Sequence, residues 1–496
     1  MFWAKATGST NIPIMEEHRS ILHLNHRKKG NTIMNVPTNP SRESRRAFLK
    51  MMASSTLGLM LYRCTGTENH PPPNILLILV DDLGYGDLSS FGGGDLRTPH
   101  IDSLVNEGMK FINFYANCPV CSPTRASILT GRYPELVGVP GVIRTHPNNS
   151  WGNLIDDAFL LPEILKQADY HSALIGKWHL GLESPDLPNE RGFHFFKGFL
   201  GDMMDDYYTH MRHGINYMRE NIDEIHPMGH ATELFTEWAC DYLEGRQEMA
   251  NPFFLYIAYN APHAPVQPPE EWVQQYREWE WLSNNTRANL CAFIEHLDYH
   301  IGIVLKKLAE TGLDRNTVVI FTSDNGGLLA DCAHNGPYRS GKQLLYEGGL
   351  RVPMAVKWPG KIRPGSVSDH VLLTMDLFPT ITEIAGIPIT HEIDGLGFLD
   401  TLLGKRQAHL MRDIFFGRKE GSYHGIRYEG GGTIYAIRRG EWKLLEPYPG
   451  GPMELYNLET DPMERDNLAD REKDIYHVLS EALTNQIKKY NEIPWQ

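Results

Sequence analysis

Apolar positions along this chain follow two rhythms. Residues 74–80 form a run that is apolar throughout after Asn74, and comparable stretches occupy 171–177, 252–259, 317–323 and 352–358. Runs of this length without alternation fit strands buried on both faces of a parallel sheet. Between them the period lengthens. In 290–308, Leu290, Phe293, Ile294, Leu297, Ile301, Val304, Leu305 and Leu308 recur at spacings of three and four, which makes one apolar face of a helix. Strands alternating with helices predict an α/β fold with a mixed, mostly parallel sheet flanked by helices. Open sheets of this kind place their sites just beyond the carboxyl ends of strands.

The texture changes at both ends. Beyond about residue 405, glycines cluster at 430–432, strand candidates follow at 433–438 and 442–445, and a helical pattern runs from about 470 to 490. This predicts a main domain over 74–405 and a smaller C-terminal α+β subdomain over 406–496. Residues 1–73 read as an export signal and leader. Arg45-Arg46 precede a mostly apolar stretch at 51–62, the order of a bacterial twin-arginine signal, with Met34 as a natural start. That stretch is too short to span a bilayer. The expected location is exported, periplasmic or extracellular, reached through the twin-arginine machinery. Cys64 loosely fits a lipoprotein cleavage site, although Arg63 stands where a small residue is expected. A basic amphipathic helix kept on the mature protein is the alternative.

Composition narrows the choice further. The 496 residues, 41% hydrophobic and 22% charged, are ordinary for a globular enzyme. A net charge of −14 argues against nucleic acid as a partner. Six cysteines define no disulfide framework. Cys118 and Cys121 form a Cys-x-x-Cys, but no second such pair exists to complete a zinc site, and Pro123 belongs to a different motif.

Charged and imidazole groups gather at the predicted strand ends. Asp81-Asp82 closes the first strand, and Asp324-Asn325 closes another ahead of Gly326-Gly327. Carboxylate and amide oxygens from two strand ends suit a hard cation, Ca²⁺ or Mg²⁺, although either pair alone is also ordinary turn chemistry. Lys177 and His179 follow a third strand, His263 a fourth, and Lys342 lies in the Gly-rich 336–342 segment. With 22 histidines in the chain, composition alone would not choose His179 or His263. Cys121 opens the run Cys-Ser-Pro-Thr-Arg-Ala-Ser-Ile-Leu-Thr-Gly-Arg, which ends at Arg132. Taken alone, this is a helix start with Ser122 as N-cap, Pro123 at the first helical position and a buried thiol.

As a set, these motifs resemble those of the type I sulfatases of the alkaline-phosphatase-like superfamily, and among them the arylsulfatase and N-acetylgalactosamine-6-sulfatase-like carbohydrate enzymes of bacteria. The likeness rests on Cys121, Pro123, Arg125 and Gly131-Arg132, on Asp81-Asp82-Leu83-Gly84, and on Ser323-Asp324-Asn325-Gly326. Further matches are Gly176-Lys177-Trp178-His179, Ala261-Pro262-His263 and Gly341-Lys342, and the resemblance extends from about Asn74 to Leu468. It implies hydrolysis of sulfate monoesters, with a sulfated small molecule or oligosaccharide as substrate. An exported member implies a glycosaminoglycan or algal polysaccharide fragment. It also implies that a maturation enzyme converts Cys121 to formylglycine, whose hydrate is the nucleophile. Asp81, Asp82, Asp324, Asn325 and the modified Cys121 would hold calcium, with magnesium as the alternative. Lys177 and Lys342 would bind sulfate and nucleophile oxygens, His263 would protonate the leaving alcohol, His179 would take a proton afterwards, and Arg125 would steady the Cys121 end. A phosphonate monoester hydrolase or phosphodiesterase of the same superfamily is one alternative, and a non-catalytic binder of sulfated glycans is another. Asp205, Asp206, His210, Arg212 and His213 in 191–221, with the stretch 417–439, are candidate sugar contacts or plain polar loops.

Overall fold

The computed structural model describes residues 71–276, 285–405 and 412–492. The expected export signal, with Met34, Arg45-Arg46 and Cys64, lies outside the described residues, as do 406–411 at the expected subdomain junction.

Ten strands form the main sheet. They are β1 (Asn74–Asp81), β2 (Met109–Phe111), β3 (His171–Lys177), β4 (Phe195–Phe199), β5 (Met218–Glu220), β6 (Asp223–Glu224), β7 (Phe253–Pro262), β8 (Thr317–Ser323), β9 (Met354–Lys357) and β10 (Ser366–Ser368). Across the sheet their order is β10-β2-β9-β8-β1-β7-β3-β4-β5-β6. The central run from β8 to β4 is parallel throughout, and antiparallel neighbours begin beyond each end of it. The sheet is mixed and mostly parallel at its heart, as the apolar runs predict.

Two-sided burial explains those runs. Ile75, Leu77 and Leu79 of β1 pack into one core, and Leu76, Ile78 and Val80 into the other, because successive side chains point to opposite faces. The helices named in the argument are α1 (Pro99–Glu107), α2 (Cys121–Thr130), α3 (Ala231–Arg246), α4 (Asn285–Glu310) and α5 (Leu377–Ile384). The first core takes Ile128 and Leu129 of α2 and Phe378 and Ile381 of α5. The second takes Phe235 and Leu243 of α3 and Ile294, Leu297 and Ile301 of α4. Each such aliphatic side chain removed from water contributes about 1.5–3 kcal/mol.

The C-terminal part is a four-stranded antiparallel sheet of consecutive strands β11 (Asp413–Tyr423), β12 (Ile426–Arg439), β13 (Trp442–Leu445) and β14 (Glu454–Asn457), covered by α6 (Lys473–Tyr490). The expected glycine cluster at 430–432 lies inside β12. Gly431 has φ +79°, and a Cβ there would meet the Trp151 ring at 2.6 Å, so this glycine lets the strand pass an aromatic from the main domain. Beneath this sheet lies a buried ion cluster. Lys443 Nζ sits 3.0 Å from Glu347 Oε1 and 2.9 Å from Glu464 Oε1. Glu347 Oε2 accepts from Tyr115 at 2.6 Å and lies 3.3 Å from Arg351 Nε. Arg438 also donates to the Tyr115 hydroxyl.

Candidate functional site

The carboxyl ends of β1, β8, β3 and β7 converge with the start of α2 and the loop carrying Lys342. Asp81 is the last residue of β1, and Asp82 then turns into the left-handed region at φ 66°. This conformation is uncommon outside glycine and persists only where the surroundings hold it. Here the Asp82 backbone N–H donates to Asp324 Oδ1 at 3.3 Å, tying the ends of two neighbouring parallel strands together.

The carboxylates are each held by a cation. Lys177 Nζ donates to Asp81 Oδ2 at 2.5 Å, and Lys342 Nζ donates to Asp82 Oδ2 at 2.7 Å. Arg125, one turn along α2 from Cys121, donates through Nε and Nη2 to Asp324 Oδ2 at 3.0 and 2.8 Å. Its Nη1 donates to the Lys177 carbonyl at 3.1 Å. Asn325 Nδ2 donates to Asp82 Oδ1 at 2.7 Å. Lys342 is partly exposed at the edge of the site, and the other side chains are buried, with Asp81, Lys177, Arg125, Asp324 and Asn325 at 0% exposure. Burial alone would push the Asp81 carboxyl up, but Lys177, His263, Arg125 and Lys342 hold it well below the usual carboxylate range. Burial, reinforced by Asp81, pushes Asp324 up to about 7 against Arg125.

Two oxygens in this network have no hydrogen-bond partner, Asp81 Oδ1 and Asn325 Oδ1. Buried polar atoms are normally satisfied, and leaving one unpaired costs about 1–3 kcal/mol. Ligand atoms of Asp81, Asp82, Cys121 and His263 all lie within 4.8 Å of one another. Hard oxygens with two unpaired members fit a divalent cation of the calcium or magnesium class.

Cys121 is the first residue of α2 and only 3% exposed. Burial pushes its thiol up to about 12, against Lys177 and Lys342. Ser122 is not the N-cap that the isolated motif suggests. It lies inside the helix, and its hydroxyl accepts the Ile143 N–H at 3.1 Å. Gly131 closes the helix at φ 67° with its N–H on the Ser127 carbonyl, the left-handed cap that glycine serves best.

Both histidines have assignable tautomers. His179 Nε2–H donates to the Ile143 carbonyl at 2.8 Å, which leaves Nδ1 as a buried acceptor without a partner. Burial, Lys177 and Arg125 hold this ring well below the ordinary imidazole range, so it is neutral at pH 7. His263 Nδ1–H donates to the Ala264 carbonyl at 2.7 Å, and its Nε2 faces Asp82 Oδ2 at 3.5 Å. Burial and then Lys342 lower its pKa, against Asp82 and Asp81.

Every predicted site residue therefore joins one arrangement, with His179 close enough to feel the charges of Lys177, Arg125 and Asp81. The expected sugar contacts fare differently. Asp206 accepts from the Tyr208 and Thr209 N–H groups and from Gln267, and His210 is buried and donates to the Gly229 carbonyl. Arg212 pairs with Asp205 and Asp202, and the His213 N–H donates to Asp205. The 191–221 segment uses these groups largely to hold itself together. Sequence reasoning missed Tyr207, whose hydroxyl bridges the Asn260 and His263 carbonyls at 2.9 and 2.8 Å and fixes the His263 turn. It also missed the Arg144–Glu420–Arg418 chain (Glu420 Oε2 to Arg144 2.7 Å, to Arg418 3.1 Å), which ties the loop after Ile143 to β11. Arg418 continues to the Gln343 carbonyl at 2.8 Å, next to Lys342.

The sulfatase family model matches residues 73–387, the span that carries every residue of this arrangement. This chain belongs to the sulfatase family. It is a sulfuric ester hydrolase, and a second family description, the C-terminal part of N-sulphoglucosamine sulphohydrolase, covers residues 338–492 of this sulfatase. N-acetylgalactosamine-6-sulfatase of Rattus norvegicus is 35% identical over 396 residues, spanning 75% of this chain and 71% of the relative. Arylsulfatase A of Bos taurus is 31% identical over 425 residues, spanning 79% and 78%. Among solved structures, Ps i-CgsB in complex with k-i-k-neocarrahexaose superposes with a TM-score of 0.75 at 30% identity, covering 84% of this chain and 92% of that one. The fold is the alkaline-phosphatase-like one that the resemblance of the motifs implies, with the parallel centre that the apolar runs predict.

Proposed function

We propose that this sulfatase hydrolyses sulfate monoesters carried on a carbohydrate, using a calcium-class divalent cation and a formylglycine formed from Cys121. The observation that carries the reading is the pair of partnerless buried oxygens, Asp81 Oδ1 and Asn325 Oδ1, set among Lys177, Lys342 and Arg125 around Cys121. Net charge is −14, and a sulfate ester is anionic, so attraction must come from these local cations. The carbohydrate part is supported by a relative named as an N-acetylgalactosamine-6-sulfatase and by the neocarrahexaose held in the Ps i-CgsB structure.

Asp81, Asp82, Asp324 and Asn325 would hold the cation. An aldehyde hydrate at position 121 beside such an ion would supply a strong oxygen nucleophile at neutral pH. A thiol held at about 12 is a poor nucleophile by comparison. Lys342 and Lys177 present fixed positive charge to the sulfuryl oxygens, where charge accumulates as the S–O bond breaks. His263 directs Nε2 toward Asp82 and, when protonated, is the proton source for the leaving alcohol. An anionic ester bound beside Lys342 offsets the charge that lowers the His263 pKa. His179, neutral with Nδ1 free, accepts a proton as sulfate leaves. Arg125 acts through Asp324 and the Lys177 carbonyl, fixing both.

Mass spectrometry of the Cys121 peptide, after expression with a formylglycine-generating enzyme, tests the modification. The expected product is 18 Da lighter than the thiol, roughly the loss of sulfur for oxygen with two hydrogens. A peptide that stays wholly thiol in an active preparation removes the mechanism. Comparing turnover of aryl sulfate with aryl phosphonate then separates a sulfatase from a phosphonate hydrolase.

A further inference from the structure

A second cluster of metal-ligating groups lies between α3 and α4, built from residues that the sulfate chemistry does not use. His230 is the N-cap of α3, Glu233 is in its first turn, and His296 is on α4. Ligand atoms of these three residues all lie within 4.8 Å of one another. His300, one turn further along α4, stacks edge-on against His296 with centroids 4.5 Å apart.

His296 is the decisive member. It is 1% exposed, and neither ring nitrogen has a hydrogen-bond partner. An imidazole always carries at least one N–H, so this burial leaves both a donor and a lone pair, or two donors, without a bond. The cost is about 1–3 kcal/mol for each unpaired group. Its Nε2 faces Glu233 Oε1 at 3.5 Å. That is long for a charge-assisted hydrogen bond, which lies at about 2.7–2.9 Å. It matches the edge of a tetrahedral zinc shell, where bonds of about 2.0–2.2 Å place neighbouring ligands roughly 3.4 Å apart. The His300 Nδ1 is likewise buried without a partner. Glu233 is 47% exposed, so an ion and its waters have a route in from solvent.

We propose that His230, Glu233 and His296 form a second metal site that takes an ion of the Zn²⁺ class, with water completing the shell. Two imidazoles and one carboxylate suit this borderline ion, whereas calcium takes six to eight oxygen ligands. His230 now accepts the Thr232 N–H through Nδ1 at 3.2 Å and donates through Nε2 to the Gln267 carbonyl at 3.1 Å. Ligation replaces one of these contacts. The site lies behind the catalytic segment, because Tyr207 stacks on His230 at 5.1 Å and holds the His263 carbonyl with its hydroxyl. A bound ion would brace the turn that aims His263.

The test uses the full chain loaded with calcium and titrated with Co²⁺ and then Zn²⁺. One equivalent of Co²⁺ should give the visible absorption of a four-coordinate nitrogen and oxygen site, and Zn²⁺ should displace it. Glu233→Gln, at a half-exposed position that leaves the core intact, should weaken binding by about 100-fold. His296→Gln should do the same, and Asp324→Ala in the active site should leave the absorption in place. Absence of the absorption in the unaltered protein overturns the proposal. So does its survival in Glu233→Gln, or its loss in Asp324→Ala with Glu233 and His296 intact.

Discussion

The ion cluster beneath the C-terminal sheet and the one at the carboxyl ends of the parallel strands are both built from buried carboxylates and the cations that face them. They differ in completion. Around Lys443, both Glu347 oxygens and Glu464 Oε2 accept hydrogen bonds, and Glu464 Oε1, which accepts none, still lies 2.9 Å from the Lys443 ammonium. Around Asp81, the cations are equally close, yet Asp81 Oδ1, Asn325 Oδ1 and His179 Nδ1 stay without partners. A closed cluster joins two parts of a fold. An open one, equally costly to bury, has capacity left for something that is not protein. Buried charge by itself therefore marks neither a structural nor a functional role, and the gathering of several unpaired atoms at one place does.

The sharpest way to break this contrast is Lys342→Ala. The variant should lose turnover of an aryl sulfate by about 10²–10³-fold or more, the scale for removing one charge-stabilising donor. Its circular dichroism melt should stay close to that of the parent, because Lys342 sits at the edge of the site with 9% side-chain exposure. Near-normal rates would place the sulfate elsewhere. The mirror experiment is Lys443→Met. Stranding Glu347 and Glu464 should cost about 3–5 kcal/mol in denaturant unfolding, while kcat of the folded fraction stays within about twofold. A selective loss of kcat would make this cluster catalytic too.

Calcium removal comes next in size. EGTA should lower the Tm of the loaded protein, reflecting about 2–3 kcal/mol if calcium was present at a hundredfold excess over its Kd. Asp324→Asn should abolish that shift, and Glu464→Gln should keep it, as followed by differential scanning calorimetry. The smallest effect is one of pH. Burial and Glu347 push the Glu464 carboxyl from 4.5 up to about 7. A folded-state value above the unfolded one means that the stabilisation is full below about pH 4.5 and is lost as pH rises through about 7. Between these limits the parent should lose about 1–3 kcal/mol relative to Glu464→Gln. Parallel stability curves for the two proteins would place the proton elsewhere.

The contrast also separates what could be read in the sequence from what could not. The central strands were legible because two-sided burial demands unbroken apolar runs, as Leu76 and Leu77 show by entering opposite cores. Asp81, Asp324 and Lys177 were legible through motifs at strand ends, and Cys121 through the motif that opens α2. Lys443 was not, because a lysine in a short strand pattern reads as a solvated edge, and only the fold brings it against Glu347, 96 residues away. Taken alone the motif suggests Ser122 as a cap, and its actual partner, the Ile143 N–H, is 21 residues off. The positive φ values of Asp82 and His179 had no signal at all, since neither residue is a glycine. The glycines at 430–432 were visible, but the reason for Gly431, the Trp151 ring, is a tertiary one.

All ten residues of α2 are buried, and Cys121 with them. The helix is closed over from a distance: Cys118, just before it, donates to the carbonyl of Gly417, 299 positions later. On the function proposed above, this burial sets a schedule for biosynthesis. A modifying enzyme must reach Cys121 while the second half of the chain is still being made or has not yet docked. Maturation is then a race between catalyst and collapse. A variant that folds faster would emerge from the cell better folded and less active.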